Sequence, residues 1–251
     1  MDKSKEEQAL AEGQVKSAKN QGKPAKDQVK SVEGQAKPSG KYPVEEAVRE
    51  GGMVCEALAA YLPAKKQGEF TIEDLKNIPD EQRVELIDGV IFEMEAPTTI
   101  HQIIGQEIFV GLRAYIKGKG GKCRPFVAPV DVQLDCDEKT MVQPDVLVVC
   151  EREKDNGKRI FGAPDFVAEV LSKSTRRKDM LIKGEKYEHA GVREYWMIDP
   201  DKKKILVYDF AGEEYPIIYG FDDVIPVRIF DGACKVDFRE IHDYLREVYG
   251  L

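Results

Sequence analysis

A chain of 251 residues, 42% of them hydrophobic, can bury one sizeable core with extensions or at most two small domains. Its longest apolar runs, Val146 to Cys150 and Phe166 to Leu171, fall far short of the roughly 20 residues a membrane-spanning helix needs, and MDKSKEEQALAEGQ lacks the apolar stretch of a secretory signal, so a soluble, cytoplasmic protein with no membrane partner is expected. The net charge of −8 excludes a broad basic surface that coats a polyanion but leaves open an enzyme that binds nucleic acid locally.

Residues 1–41 hold nine lysines against six acids, repeat QVKS and EGQ, and contain no aromatic, so a disordered low-complexity tail is expected there. Val44, Ala47, Val48, Cys55 and Leu58 suggest a helical extension over 42–68, weakened by Gly51 and Gly52. The compact domain is expected over 69–251, opening on a short helix capped by Thr71. Asp88-Gly89 between two apolar runs predicts a hairpin over Val84 to Glu93. Ile104, Ile108, Leu112, Tyr115 and Ile116 predict a helix from about His101 to Lys117, ended by GKGKGGKC. Lys117, Lys119, Lys122 and Arg124 read as a basic loop. Val130, Val132 and Leu134 predict a half-buried strand, and two apolar strands follow at Asp145 to Cys150 and Asp165 to Ser172. A helix from about Thr175 to Ala190 and a strand at Tyr195 to Ile198 complete the unit. A strand at Lys204 to Phe210 and a C-terminal helix with Ile241, Tyr244, Leu245 and Val248 look like additions. This order predicts an α/β fold, a mixed central sheet flanked by helices. The five cysteines are odd in number, scattered and without a CxxC pair, so most are expected to be reduced and packed.

Glu169 sits inside Phe166-Val167-Ala168-Glu169-Val170-Leu171, where an unpaired carboxylate is costly and something must compensate it. Period-two alternation gives it the strand face of Val167 and Leu171, while Asp145 shares one with Leu147 and Val149. Adjacent strands would bring the two acids together, and a hard divalent ion is the natural bridge between converging carboxylates. With three scattered histidines, any metal here needs oxygen ligands. The alternatives are a turn-forming acid at a strand start for Asp145 and a buried salt bridge for Glu169. On the following helix Met180, Lys183 and Tyr187 share one face, so Lys183 is expected to point at the sheet, with Lys178 and Lys186 elsewhere around the cylinder. Arg176, Arg177 and Lys178 open that helix against its dipole, either as phosphate contacts or as a solvated basic turn. His101 is expected to cap or pack, and Trp196 to lie in the core.

Taken in order, VELIDGVIFEM at Val84 to Met94, VQPDVLVV at Val142 to Val149, GAPDFVAEVLSKSTRRKD at Gly162 to Asp179 and GVREYWMIDP at Gly191 to Pro200 resemble the Uma family of restriction-endonuclease-like nucleases, in the PD-(D/E)XK superfamily. The resemblance implies a restriction-endonuclease-like core and a metal-dependent DNA endonuclease. Asp145, Glu169 and Lys183 would be catalytic, and Asp145, Glu169 and Glu85 would hold magnesium or manganese. The superfamily's lysine usually lies two residues after the strand acid, where this chain has Leu171; the resemblance gives the role to the helical Lys183 instead. A homodimer is expected from the resemblance and from the strand after Asp199-Pro200. A catalytically inactive binding or assembly module of the same fold, or a hydrolase of another phosphate ester, are the rival readings.

Overall fold

The computed structural model describes residues 56–173, 176–212 and 215–250. The tail over 1–41, and residues 42–55 of the expected extension, lie outside these. In the rest of that extension the chain forms α1, Glu56–Ala59, followed by turns, and Leu58 is fully buried against Phe70, Ile72 and Leu86.

The expected hairpin is β1, Val84–Ile87, paired antiparallel with β2, Val90–Glu93. Asp88 and Gly89 both take positive φ, 49° and 78°, which lets two residues reverse the chain. Helix α2, Thr99–Gly118, starts where the Thr98 side chain accepts from the His101 N–H at 3.2 Å.

The central sheet has six strands in the order β10-β9-β8-β7-β5-β3. These are β3, Arg124–Val127; β5, Val146–Val149; β7, Phe166–Val170; β8, Glu194–Asp199; β9, Lys204–Asp209; and β10, Ile217–Gly220. Only β7 and β8 are parallel, joined by the helical segment expected from about Thr175. That segment is built of α3, Arg176–Lys178, a π-helical turn at Asp179–Lys183, and α4, Gly184–Ala190. One sheet face packs Val146, Val148, Phe166, Ala168 and Trp196 on Ile104, Ile108 and Leu112 of α2. The other packs Leu147, Val167 and Met197 on Ile182 and Tyr187.

Several expectations are corrected. The strand through Val130 and Leu134 shrinks to β4, Val132–Gln133, paired with β6, Ile160–Phe161, and Gln133 is buried rather than facing solvent. The supposed additions belong to the main body. Strand β9 is interior, paired on both edges, so it offers no edge to a second copy. Strands β11, Val224–Val227, and β12, Cys234–Asp237, lead into α5, Phe238–Tyr249, whose Ile241 and Leu245 are buried in the α2 core while Tyr244 and Val248 are exposed. Cys123 and Cys150 form a disulfide, so these two are not among the cysteines that are reduced. The region read as a basic loop contains β3, whose Arg124 pairs with Val149, so the next position sets the two cysteines side by side. Cys136 and Cys234 are free thiols. No helix of the described residues is long and apolar enough to cross a membrane.

Candidate active site

Strands β5 and β7 run antiparallel with Val146 opposite Ala168, so one step further Asp145 stands opposite Glu169. The side chains reach across the pair: the Val170 N–H donates to Asp145 Oδ2 at 2.8 Å, and the Asp145 N–H points at Glu169 Oε2 at 3.4 Å. Both acids line a cleft of about 700 Å³. Glu169 Oε1 accepts from Lys183 Nζ at 2.9 Å and from the Tyr187 hydroxyl at 2.7 Å. Asp145 Oδ2 also lies 3.0 Å from His101 Nε2, so the first turn of α2 is part of the site.

Glu85 lies behind this pair, fully buried on β1. Its Oε1 takes Lys183 Nζ at 2.7 Å and the Gln143 N–H at 3.0 Å, and its Oε2 takes Lys178 Nζ at 2.7 Å. The π turn makes this possible. In a regular helix two residues five apart lie on different faces; the i→i+5 turn, closed by the Gly184 N–H on Asp179 O, brings Lys178 and Lys183 into one row. The wider turn also carries Met180 away from that row, and it is exposed rather than inward as expected.

Burial pushes the Glu85 carboxyl up, but the charges and hydrogen bonds of Lys178 and Lys183 outweigh it and hold it at about 2. Glu169 goes the other way. Burial dominates and the neighbouring Asp145, Asp179 and Glu85 add to it, so despite Lys183 its carboxyl is pushed up to about 8. Burial works against the Lys183 ammonium, yet Glu169 and Glu85 together hold it well above its ordinary range. Glu85 is thus the firm counterion of Lys183, and Glu169 is the acid of the cluster that most readily holds a proton. Tyr187, kept protonated by burial and by Glu169, stays a donor to that carboxylate.

A family model described as "Putative restriction endonuclease", Uma2, matches residues 71–233. The chain belongs to the Uma2 family. A crystal structure from Anabaena variabilis ATCC 29413, described as "a putative nuclease belonging to DUF820", matches this Uma2 chain over 70% of its length and 99% of the other, with a TM-score of 0.56 and 21% identity. That likeness establishes the nuclease-like fold. No curated protein matches the chain.

In this Uma2 protein the residues expected to act together are Asp145, Glu169 and Lys183, and the fold brings all three to one point. Glu85 joins them, but with its oxygens occupied by two lysines and an amide. Two of the three residues expected to touch nucleic acid are tied up. Lys178 is a buried partner of Glu85, and Arg176 pairs with Asp199 at 2.7 Å and Asp201 at 3.3 Å. The Arg177 side chain lies outside the described residues. Lys186, expected on another face, is also buried, bridging Asp88 at 2.9 Å and Asp135 at 2.6 Å. His101 is the residue the sequence reading missed. Its backbone is capped by Thr98 as expected of a helix start, and only the fold shows its ring against Asp145.

The donor set fits a hard divalent cation. Asp145 and Glu169 offer carboxylate oxygens to the cleft, and a cation there would offset both the burial and the neighbouring carboxylates that raise Glu169. No group of three His, Cys, Asp or Glu side chains able to hold a metal occurs among the described residues. Magnesium commonly takes only one or two carboxylates, filling its other positions with water and substrate phosphate.

Proposed function

We propose that this protein is a divalent-metal-dependent endonuclease that hydrolyses phosphodiester bonds of DNA, with magnesium or manganese as its cation. The observation that carries this reading is the cleft floor, where Asp145 and Glu169 stand opposite each other on paired strands with Lys183 Nζ 2.9 Å from Glu169. Membership of Uma2 supports the phosphodiester chemistry. A cation bound there would lower the pKa of a water and polarise the scissile phosphate. Asp145 and Glu169 would supply its protein ligands, with His101 and Tyr187 orienting those carboxylates. Lys183, kept cationic by Glu85, would offset the negative charge that develops on the phosphate. Glu85 in this reading positions two lysines rather than binding the ion.

One observation favours a second reading, a nuclease-fold module that binds or assembles without cleaving: the closed ion pair between Lys183 and Glu169. The open cleft beside that pair weighs against it. Incubating the protein with supercoiled plasmid and with single-stranded DNA, in magnesium or manganese, decides between them. Cleavage that disappears in Asp145→Ala supports the endonuclease. Cleavage surviving that substitution removes Asp145 from the site, and no cleavage with either ion favours the non-catalytic module.

A further inference from the structure

The cations facing the cleft fall into two classes. Lys178 and Lys183 are paired with Glu85 and Glu169. Arg83, Lys173 and Lys203 also line it, and no carboxylate among the described residues pairs with them. Two of these three are held by neutral acceptors. Arg83 donates to Gln143 Oε1 through Nη2 at 2.9 Å and Nε at 3.3 Å. Gln143 is itself fixed, its Nε2 on Asp131 Oδ1 at 2.8 Å and its N–H on Glu85 Oε1 at 3.0 Å.

Lys203 Nζ lies 3.2 Å from His242 Nε2. An ammonium has only donors, so Nε2 must accept, and the neutral ring carries its proton on Nδ1, 3.0 Å from Asp222 Oδ1. The Asp222 side chain is 90% exposed, so water screens its charge. A carboxylate in place of Gln143 or His242 would orient the cation equally well but cancel its charge. A neutral buttress orients the charge and leaves it available to an anion.

The two cations line the same cleft as the acids. Strands β5, β7 and β8 bring Asp145, Glu169 and the β8–β9 turn with Lys203 to the same end of the sheet, in that order, and Arg83 is held by Gln143, two residues before Asp145. At about 4.8 Å per strand, the turn lies roughly 10 Å from Asp145.

We infer that Arg83 and Lys203 are phosphate contacts beside the carboxylates, seating backbone phosphates that neighbour the one attacked. The inference rests on the endonuclease reading and adds where the strand lies. His242 belongs to α5, beyond residue 233 where the Uma2 match ends, so part of the substrate seat is built by a helix outside the family model.

The test is binding of fluorescent single-stranded and duplex DNA to the full chain in EDTA, followed by anisotropy over a range of salt. Arg83→Gln and Lys203→Gln are each expected to flatten the dependence of log affinity on log salt by roughly 0.7 for single strands or 0.9 for duplex. Arg83→Lys and Lys203→Arg keep the charge and are expected to keep the slope, which also controls for folding. Slopes unchanged in both glutamine variants, or no binding of either DNA by the unaltered protein, overturn the inference. Metal-dependent cleavage compared with Asp145→Ala is read separately. A protein that cleaves with unaltered slopes loses only the phosphate seat; one whose slopes flatten but which cleaves nothing loses only the endonuclease reading.

Discussion

Lys178 and Lys183, five residues apart across a π turn, each place Nζ 2.7 Å from a different oxygen of Glu85. Such an arrangement makes Glu85 the keystone of a buried charge cluster rather than an open ligand. Glu85→Gln would leave two buried ammonium groups short of their counterion, and breaking a buried pair in this way costs about 3–5 kcal/mol. Urea unfolding in EDTA should show a loss of that order near neutral pH. Because the folded carboxyl sits at about 2 against an ordinary 4.5, its stabilisation is complete above 4.5 and fades as the pH falls toward 2, so the two proteins should converge in acid. Magnesium affinity, measured by calorimetry, should survive the substitution; a fall matching that of Asp145→Asn would make Glu85 a ligand.

Glu169 should behave in the opposite sense. Its folded carboxyl is raised to about 8 from an ordinary 4.5, so its ionisation opposes folding increasingly as the pH rises from 4.5 through 8. Each tenfold gain in proton affinity is worth about 1.4 kcal/mol. Glu169→Gln imitates the protonated form. In EDTA it should match the unaltered protein near pH 5 and be the more stable of the two near pH 9, while losing metal-dependent cleavage at both. Parallel stability curves across that range would show that Lys183 already balances the charge.

The parts of this site that were legible in the sequence follow strict periodicities. Alternation along β7 assigns Glu169 to a face, and one register step opposes it to Asp145. A helical row through Lys183 and Tyr187 then points at that face. Lys178 was not legible, because a 3.6-residue period puts it on another side and only the π turn returns it to the row. His101 was hidden for a different reason. Its position at the start of α2 explains its backbone, while its ring contact depends on how the helix end meets β5, which no local pattern encodes. Short strands such as β10, β11 and β12 carry too few residues to show an alternation, and the disulfide became visible only once β3 was paired with β5.

If Asp145 and Glu169 hold a divalent cation, magnesium or manganese should raise the melting temperature by mass action. Binding to the folded state at 100 times the dissociation constant adds about 2.7 kcal/mol. Calcium at the same ionic strength gives a comparison between hard cations, and Asp145→Asn should abolish the rise for each. An equal rise in Asp145→Asn would place the ion elsewhere on the molecule. The Val170 N–H, which donates to Asp145 at 2.8 Å, can still donate to the side-chain amide oxygen of that variant, so the β5–β7 pairing that positions the site should survive the substitution.

The hairpin that carries Glu85 depends on Gly89. Its φ is +78°, and a Cβ there would stand 2.5 Å from the Gly68 carbonyl oxygen and 2.7 Å from its carbon, both backbone atoms that cannot swing aside. The same approach lets the Gly68 and Phe70 N–H groups donate to Gly89 O, at 2.8 and 3.2 Å, which ties the start of the domain to the hairpin. Gly157 has nearly the same φ, +79°, with nothing within 4 Å of its Cβ position. Gly157→Ala should therefore cost only the backbone strain of a left-handed alanine, about 1 kcal/mol. Gly89→Ala adds the backbone clash and should cost at least about 2 kcal/mol more by urea unfolding. Equal losses in the two variants would mean that residues 68–70 yield freely, and that β1 is held in place by the Glu85 cluster instead.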